Sequence, residues 1–167
     1  DNVDNPYVVT GLPFNDSGTT VGFNNDYDEE CPYSGSLSPD VVYLFNAEGG
    51  SYDFSICESG YDTKIYVYDI NLNVAADGSA CNDDECSNAA GDPWRSLLEN
   101  IYLEAGVYCV VVDGYGSQEG DYQLLIDYSG RNIYSYDDTH KVDDLSFENV
   151  NRTEYDFLGY NVFVDDE

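Results

Sequence analysis

The stretch VYCVVVDGYGSQEGDYQLLIDY, residues 107–128, limits what this chain can become more than any other. Val107, Cys109 and Val111 alternate with Tyr108, Val110 and Val112, so a strand here is apolar on both faces and needs cover on both. Such a strand sits in the middle of its sheet. DGYGSQEGD then carries an Asp-Gly pair, further glycines and no large aliphatic side chain, which predicts a chain reversal. Beyond it Tyr122, Leu124 and Ile126 alternate with Gln123, Leu125 and Asp127, predicting a returning strand with one apolar and one more mixed face. The segment reads as a hairpin at the centre of a sandwich.

The rest of the chain reads the same way. Tyr7–Val9 and Thr19–Phe23 are predicted short strands, followed by a long surface loop over 24–39. DVVYLF (40–45) is a buried strand, and GSYDFSIC alternates with Tyr52, Phe54 and Ile56 on one face, so the AEGG between them predicts a hairpin. YDTKIYVYD supplies another strand through Ile65 and Val67, and residues 71–88 are polar and loop-like. WRSLLENIYLEAG (94–106) fits a helical turn or a strand ending in a tight turn at Gly106, and the strand reading is preferred. No long amphipathic helix is visible. Many short strands between turn signals predict an all-β, antiparallel sandwich over residues 1–128.

Residues 129–167 read as a separate C-terminal extension. Its polar start leads to TEYDFLGYNVFVDDE, where Tyr155, Phe157, Tyr160, Val162 and Val164 are expected to form a terminal strand with no obvious partner in a sandwich already complete at Tyr128. An unpaired amphipathic strand is a natural joint between subunits.

Charge excludes several functions. There are 34 Asp and Glu against 5 Lys and Arg, a formal charge of -29. Such a surface repels phosphate backbones and anionic membranes, so neither nucleic acid nor membrane insertion is expected; nor does any run approach the length of a spanning helix. Self-repulsion on this scale calls for cations, either as a saline atmosphere or as bound Ca²⁺. The loops NNDYDEE (24–30) and CNDDE (81–85) supply hard oxygen ligands, although Asp and Asn also build turns without any metal.

Five cysteines in an acidic, tyrosine-rich chain without methionine predict disulfides and a secreted or cell-surface location. The tight CNDDEC loop suggests Cys81 with Cys86, leaving one bridge among Cys31, Cys57 and Cys109. Asn15-Asp16-Ser17 and Asn151-Arg152-Thr153 are glycosylation sequons, making Asn15 and Asn151 the candidate acceptors. Catalysis has little to stand on: His140 is the one histidine, and no GxSxG elbow or singled-out carboxylate pair is present. Trp94 is a candidate for stacking on a sugar ring, against the commoner role of covering a core edge.

PDVVYLF, YDTKIYVYD, ACNDDEC and AGVYCVVVDGYGSQEGDYQLLI, in this order and spacing, resemble the bacterial pre-peptidase C-terminal domain, a jelly-roll-like β-sandwich appended to secreted proteases. The resemblance spans residues 5–128, including the lead-in NPYVVTGLPFNDSGTTVGFNNDYD. It implies an extracellular, non-catalytic module. Relatives include calcium-dependent collagen-binding domains, whose ligands, carried over by position, fall on Asp26, Asp28, Asn82, Asp83 and Asp84. The Glu-rich lead-in of that branch is missing, so collagen recognition is not implied. Taken together, the expectation is a Ca²⁺-stabilised structural or adhesive subunit that self-associates into a homo-oligomer or filament. The alternative is a polysaccharide- or protein-targeting module of a larger secreted hydrolase.

Overall fold

Phe45 and Tyr52 lie on one strand, seven residues apart, and at about 3.3 Å per residue a straight strand would separate them by roughly 23 Å. Their ring centroids are 5.0 Å apart, and Phe45 and Phe54 meet at 5.7 Å. The strand therefore bends sharply between them, and that bend makes the sandwich. In this computed structural model the described residues are 2–30, 33, 35–130 and the strand pairs Asp156–Phe157 and Tyr160–Asn161. The chain divides into two units, Asp1–Asn132 and Ile133–Glu167.

In the first unit the strands are β1 (Tyr7–Val8), β2 (Phe14–Thr19), β3 (Val41–Ser55), β4 (Thr63–Tyr68), β5 (Cys81–Asn82), β6 (Leu97–Gly114) and β7 (Asp121–Gly130), with a single 3-10 turn at Ala76–Gly78. Hydrogen bonding runs in the order β2-β7-β3-β6-β4-β5, with β1 added in parallel to β3 at Tyr43 and Leu44. Among the described residues no helix is long and apolar enough to cross a membrane.

The long strands β3 and β6 pair along their whole lengths and serve both layers. Their Val41–Ala47 and Gly106–Val112 halves join β4 and β5, whereas their other halves join β7 and β2. The hairpin expected at AEGG is thus a bend. Gly49 and Gly50, at φ 91° and 138°, turn β3 without reversing it, and a side chain on Gly50 would meet the Tyr128 ring at 2.8 Å. Likewise no tight turn interrupts the chain at Gly106, where β6 continues without a break. A bulge opposite Asp53 is stabilised by the Asn100 amide donating to the Asp53 carboxylate at 2.7 Å, with Asn100 at φ 55°.

The expected central hairpin over 107–128 is also corrected. β6 lies between β3 and β4, as a strand apolar on both faces must, but β7 pairs with β3 and β2. DGYGSQEGD carries the chain from one layer to the other. The strand expected at Thr19–Phe23 falls earlier, at β2, where Gly18 sits against Tyr122 with no room for a Cβ.

Two apolar clusters explain the two-faced strand. Val110 and Val112 face the main core with Phe45, Phe54, Ile65, Leu124 and Ile126, while Val111 joins Val42, Tyr66 and Tyr68 on the other face. Among the described residues no further sheet covers that second face. Val3, Tyr27 and Val74 from loop segments pack on it.

In the second unit, β8 (Asp156–Phe157) pairs antiparallel with β9 (Tyr160–Asn161), Phe157 opposite Tyr160. The two described pairs thus run antiparallel to each other, where the sequence predicts one continuous terminal strand through Phe157 and Tyr160. Tyr155, Val162 and Val164 lie outside the described residues.

Candidate functional site

Asp62 immediately precedes β4, and Asp83 and Asp84 immediately follow β5. Because Ile65 pairs with Asn82 and Tyr66 with Cys81, extending that antiparallel register carries Asp83 and Asp84 back past Lys64 and Thr63 towards Asp62. The three carboxylates each offer an oxygen within 4.8 Å of the others. Asp62 is half-buried, Asp83 is 0% exposed and Asp84 is exposed.

The backbone of this corner is firmly held. The Ser96 hydroxyl lies 2.5 Å from the Asp83 carbonyl oxygen and 2.6 Å from that of Thr63, so its one proton serves either. The Ser96 amide donates to the Thr63 hydroxyl at 3.0 Å, and the Leu97 amide to the Asn82 side-chain oxygen at 3.1 Å. Asn82 thus spends its oxygen on the backbone. The Asp83 side chain is different: neither carboxylate oxygen has a hydrogen-bond partner, nor has Oδ1 of Asp62.

Burial, reinforced by the charge of Asp84 and opposed by that of Lys64, pushes the Asp83 carboxyl up to about 7. Burial and then Asp84 raise Asp62, and burial raises Asp84. Arg95 draws Asp62 back down only in part, its guanidinium being engaged with the carbonyls of Ser59, Pro93 and Trp94.

The other expected ligands lie elsewhere. Asp26 donates its amide to Oδ2 of Asp40 at 2.8 Å, the Tyr27 amide joins it at 3.0 Å, and Asp28 accepts from the Ser36 amide. These bonds brace the loop across 8 to 14 residues, and Asp26 enters them through its amide, not its carboxylate. Neither Asp26 nor Asp28 belongs to the carboxylate cluster. Asp40 is fully buried, and burial lifts it to about 6. Nearby Asp113, also fully buried, accepts from the Tyr66 hydroxyl at 3.0 Å and the Gly114 amide at 2.7 Å, with the Ser36 hydroxyl 3.1 Å away. Burial nonetheless raises it to about 7.

No family model matches the chain, and no curated protein matches it. A solved structure does: the crystal structure of the pre-peptidase C-terminal domain of collagenase from Bacillus anthracis, at 19% identity and a TM-score of 0.49, over 74% of this chain and 95% of that one. The chain is similar to a pre-peptidase C-terminal domain.

The disulfide expectation needs correction. Cys86 bonds Cys57, with Cα atoms 5.7 Å apart, and Cys81 is disulfide-bonded separately. The Cys86 amide donates to the Arg95 carbonyl at 2.9 Å, which turns Cys86 away from its own loop towards the strand edge beside Cys57. Cys109 is a free, half-buried thiol. Asn15 is exposed on β2 and accepts from the Gln123 side chain at 3.2 Å; Asn151 and His140 lie outside the described residues. Trp94 is 54% exposed at φ 73°.

Asp62 is the member of the cluster that the sequence did not single out. It lies 21 residues before Asp83, inside a motif that reads as a strand, and only the pairing of β4 with β5 brings the two together.

Proposed function

We propose that this chain is a non-catalytic extracellular structural subunit that associates through a sheet edge. The observation that carries the reading is β1. From Val41 to Ala47, β3 is paired on one side with β6 at every residue, but on the other with β1 only at Tyr43 and Leu44. Both β1 side chains are exposed, Tyr7 by 48% and Val8 by 57%. A short, parallel, outward-facing edge strand leaves backbone groups to which another strand can add, with main-chain bonds giving affinity and alternate side chains giving register. Contacts of this head-to-tail kind need not close, and then they build filaments.

The test is light scattering and negative-stain microscopy of the full chain in saline beside a variant lacking residues 1–9. The full chain should assemble and the truncated one should not. A full chain that stays a monodisperse monomer overturns the proposal.

A second reading, a polysaccharide-targeting module, is favoured by Trp94. Its indole is presented by a left-handed backbone conformation that is costly for a non-glycine residue. Its carbonyl accepts from the Thr63 amide at 3.1 Å. Pull-down on insoluble polysaccharides, compared with Trp94→Ala, tests this reading.

A further inference from the structure

We propose that Asp62, Asp83 and Asp84 form a binding site for a hard divalent cation, of calcium size, that locks the β4–β5 corner to the start of β6. The proposal is independent of whether the chain assembles.

Acidic side chains crowd together on many surfaces without binding anything, but Asp83 is not on the surface. It is 0% exposed, and both of its oxygens lack hydrogen-bond partners. Burying a carboxylate without a partner is among the most expensive things a fold can do. Asp62 adds a third oxygen in the same condition. The backbone carbonyl of Asp83 lies 2.5 Å from the Ser96 hydroxyl, whose one proton it shares with the Thr63 carbonyl, whereas its side chain has no hydrogen-bond donor at all. Lys64 does not discharge the debt by hydrogen bonding, since its ammonium donates to the Glu29 carbonyl at 2.8 Å while Asp83 stays without a partner.

The donor set selects the class of ion. Calcium holds six to eight oxygen ligands at about 2.4 Å in flexible geometry, so ligands on one ion lie at most about 4.8 Å apart. Oxygens drawn from all three carboxylates lie within 4.8 Å of one another, which is compatible with their sharing one such ion. Magnesium, at about 2.05 Å, demands a regular octahedral array and gives up its water reluctantly, so it is the weaker fit to a carboxylate site. A purely carboxylate donor set, with no imidazole or thiolate, disfavours zinc and copper. Asp84 is exposed, so the remaining coordination positions face solvent and take water.

The consequence is local. Asp62 opens β4, and Asp83 and Asp84 close β5, while Ser96 ties the Asp83 backbone to the residue preceding β6. An ion on these carboxylates clamps three strand ends.

The experiment is calorimetric titration and thermal unfolding of the intact chain, stripped with chelator, in CaCl₂, MgCl₂ and NaCl at matched ionic strength. Variants are Asp84→Asn, Asp83→Asn, Asp26→Asn and exposed Glu99→Gln. Calcium should bind with a stoichiometry that includes this site and raise the melting temperature beyond the effect of NaCl. Asp84→Asn, at an exposed position that folding does not need, should weaken that binding by roughly tenfold or more. Asp83→Asn should remove it while making the chelated protein melt higher than wild type, since it deletes a buried carboxylate whose oxygens have no hydrogen-bond partner. Magnesium should bind more weakly than calcium. The proposal is overturned if calcium does no more than NaCl, if Asp84→Asn binds like Glu99→Gln, or if Asp26→Asn alone abolishes binding.

Discussion

Raising the pH from 4.5 to 8 in the presence of chelator should destabilise the protein, and Asp113 sets how much of that loss belongs to one group. Its carboxylate is fully buried and lifted from 3.8 to about 7 by burial, even with Tyr66, Gly114 and Ser36 around it. The sign follows from proton counting. Between 3.8 and about 7 the folded state keeps the Asp113 proton and the unfolded state has released it, so stability falls as pH rises through this window. One proton of difference gives a slope of about 1.36 kcal/mol per pH unit, and the whole interval comes to about 4 kcal/mol. Repulsion among exposed acids pushes in the same direction, so the wild-type curve alone would not isolate Asp113. Asp113→Asn does so by fixing the group in a neutral form. Denaturant unfolding of both proteins at several pH values should give a difference that grows by about 1 kcal/mol per unit between pH 4.5 and 7 and then levels off. Parallel curves for the two proteins would refute the reasoning, because they would mean that the buried carboxylate titrates alike in the folded and unfolded chain.

Two further outcomes bear on the fold. Gly50→Ala should cost about 1–3 kcal/mol, since alanine disfavours φ 138° and its Cβ would meet the Tyr128 ring at 2.8 Å; a neutral result in denaturant unfolding would mean that β3 does not bend there. Replacing Cys57 and Cys86 together by alanine opens a loop of 29 residues in separation, which chain entropy values at about 3–4 kcal/mol. Peptide mapping of the oxidised protein that recovered Cys81 joined to Cys86 would contradict the bridge itself.

Strand existence was legible along the first 128 residues because alternation survives any topology. Ile65 and Val67 on β4, and Leu124 and Ile126 on β7, point to the core as their spacing requires. Connectivity was not legible, for a physical reason. Gly49-Gly50 and Gly116 announce that the backbone leaves the ordinary β region, but a glycine does not say whether the chain then reverses, bends or crosses between layers. That choice is made by partners distant in sequence: Tyr43 to Ala47 against Gly106 to Val110, and Phe54 against Ile126. The site divides along the same line. Asp83 and Asp84 stand out as neighbours in CNDDEC, whereas Asp62 needs the β4–β5 register, and the Cys81–Cys86 pairing failed because loop length says nothing of where Cys57 lies.

The acids of this chain fall into two populations that respond to different ions. Exposed carboxylates repel one another through water, where 0.15 M salt screens beyond about 8 Å and a monovalent salt suffices. Asp83 is 0% exposed, so ions in bulk water cannot come between it and Asp62 or Asp84. A cation that enters and is ligated relieves it. Stabilisation by NaCl and by calcium should therefore be separable: the NaCl effect should shrink when exposed acids such as Glu99 are neutralised, and the calcium effect when Asp84 is. A chain with a charge of -29 does not have to choose between an ion atmosphere and a bound ion, because the two act on different side chains.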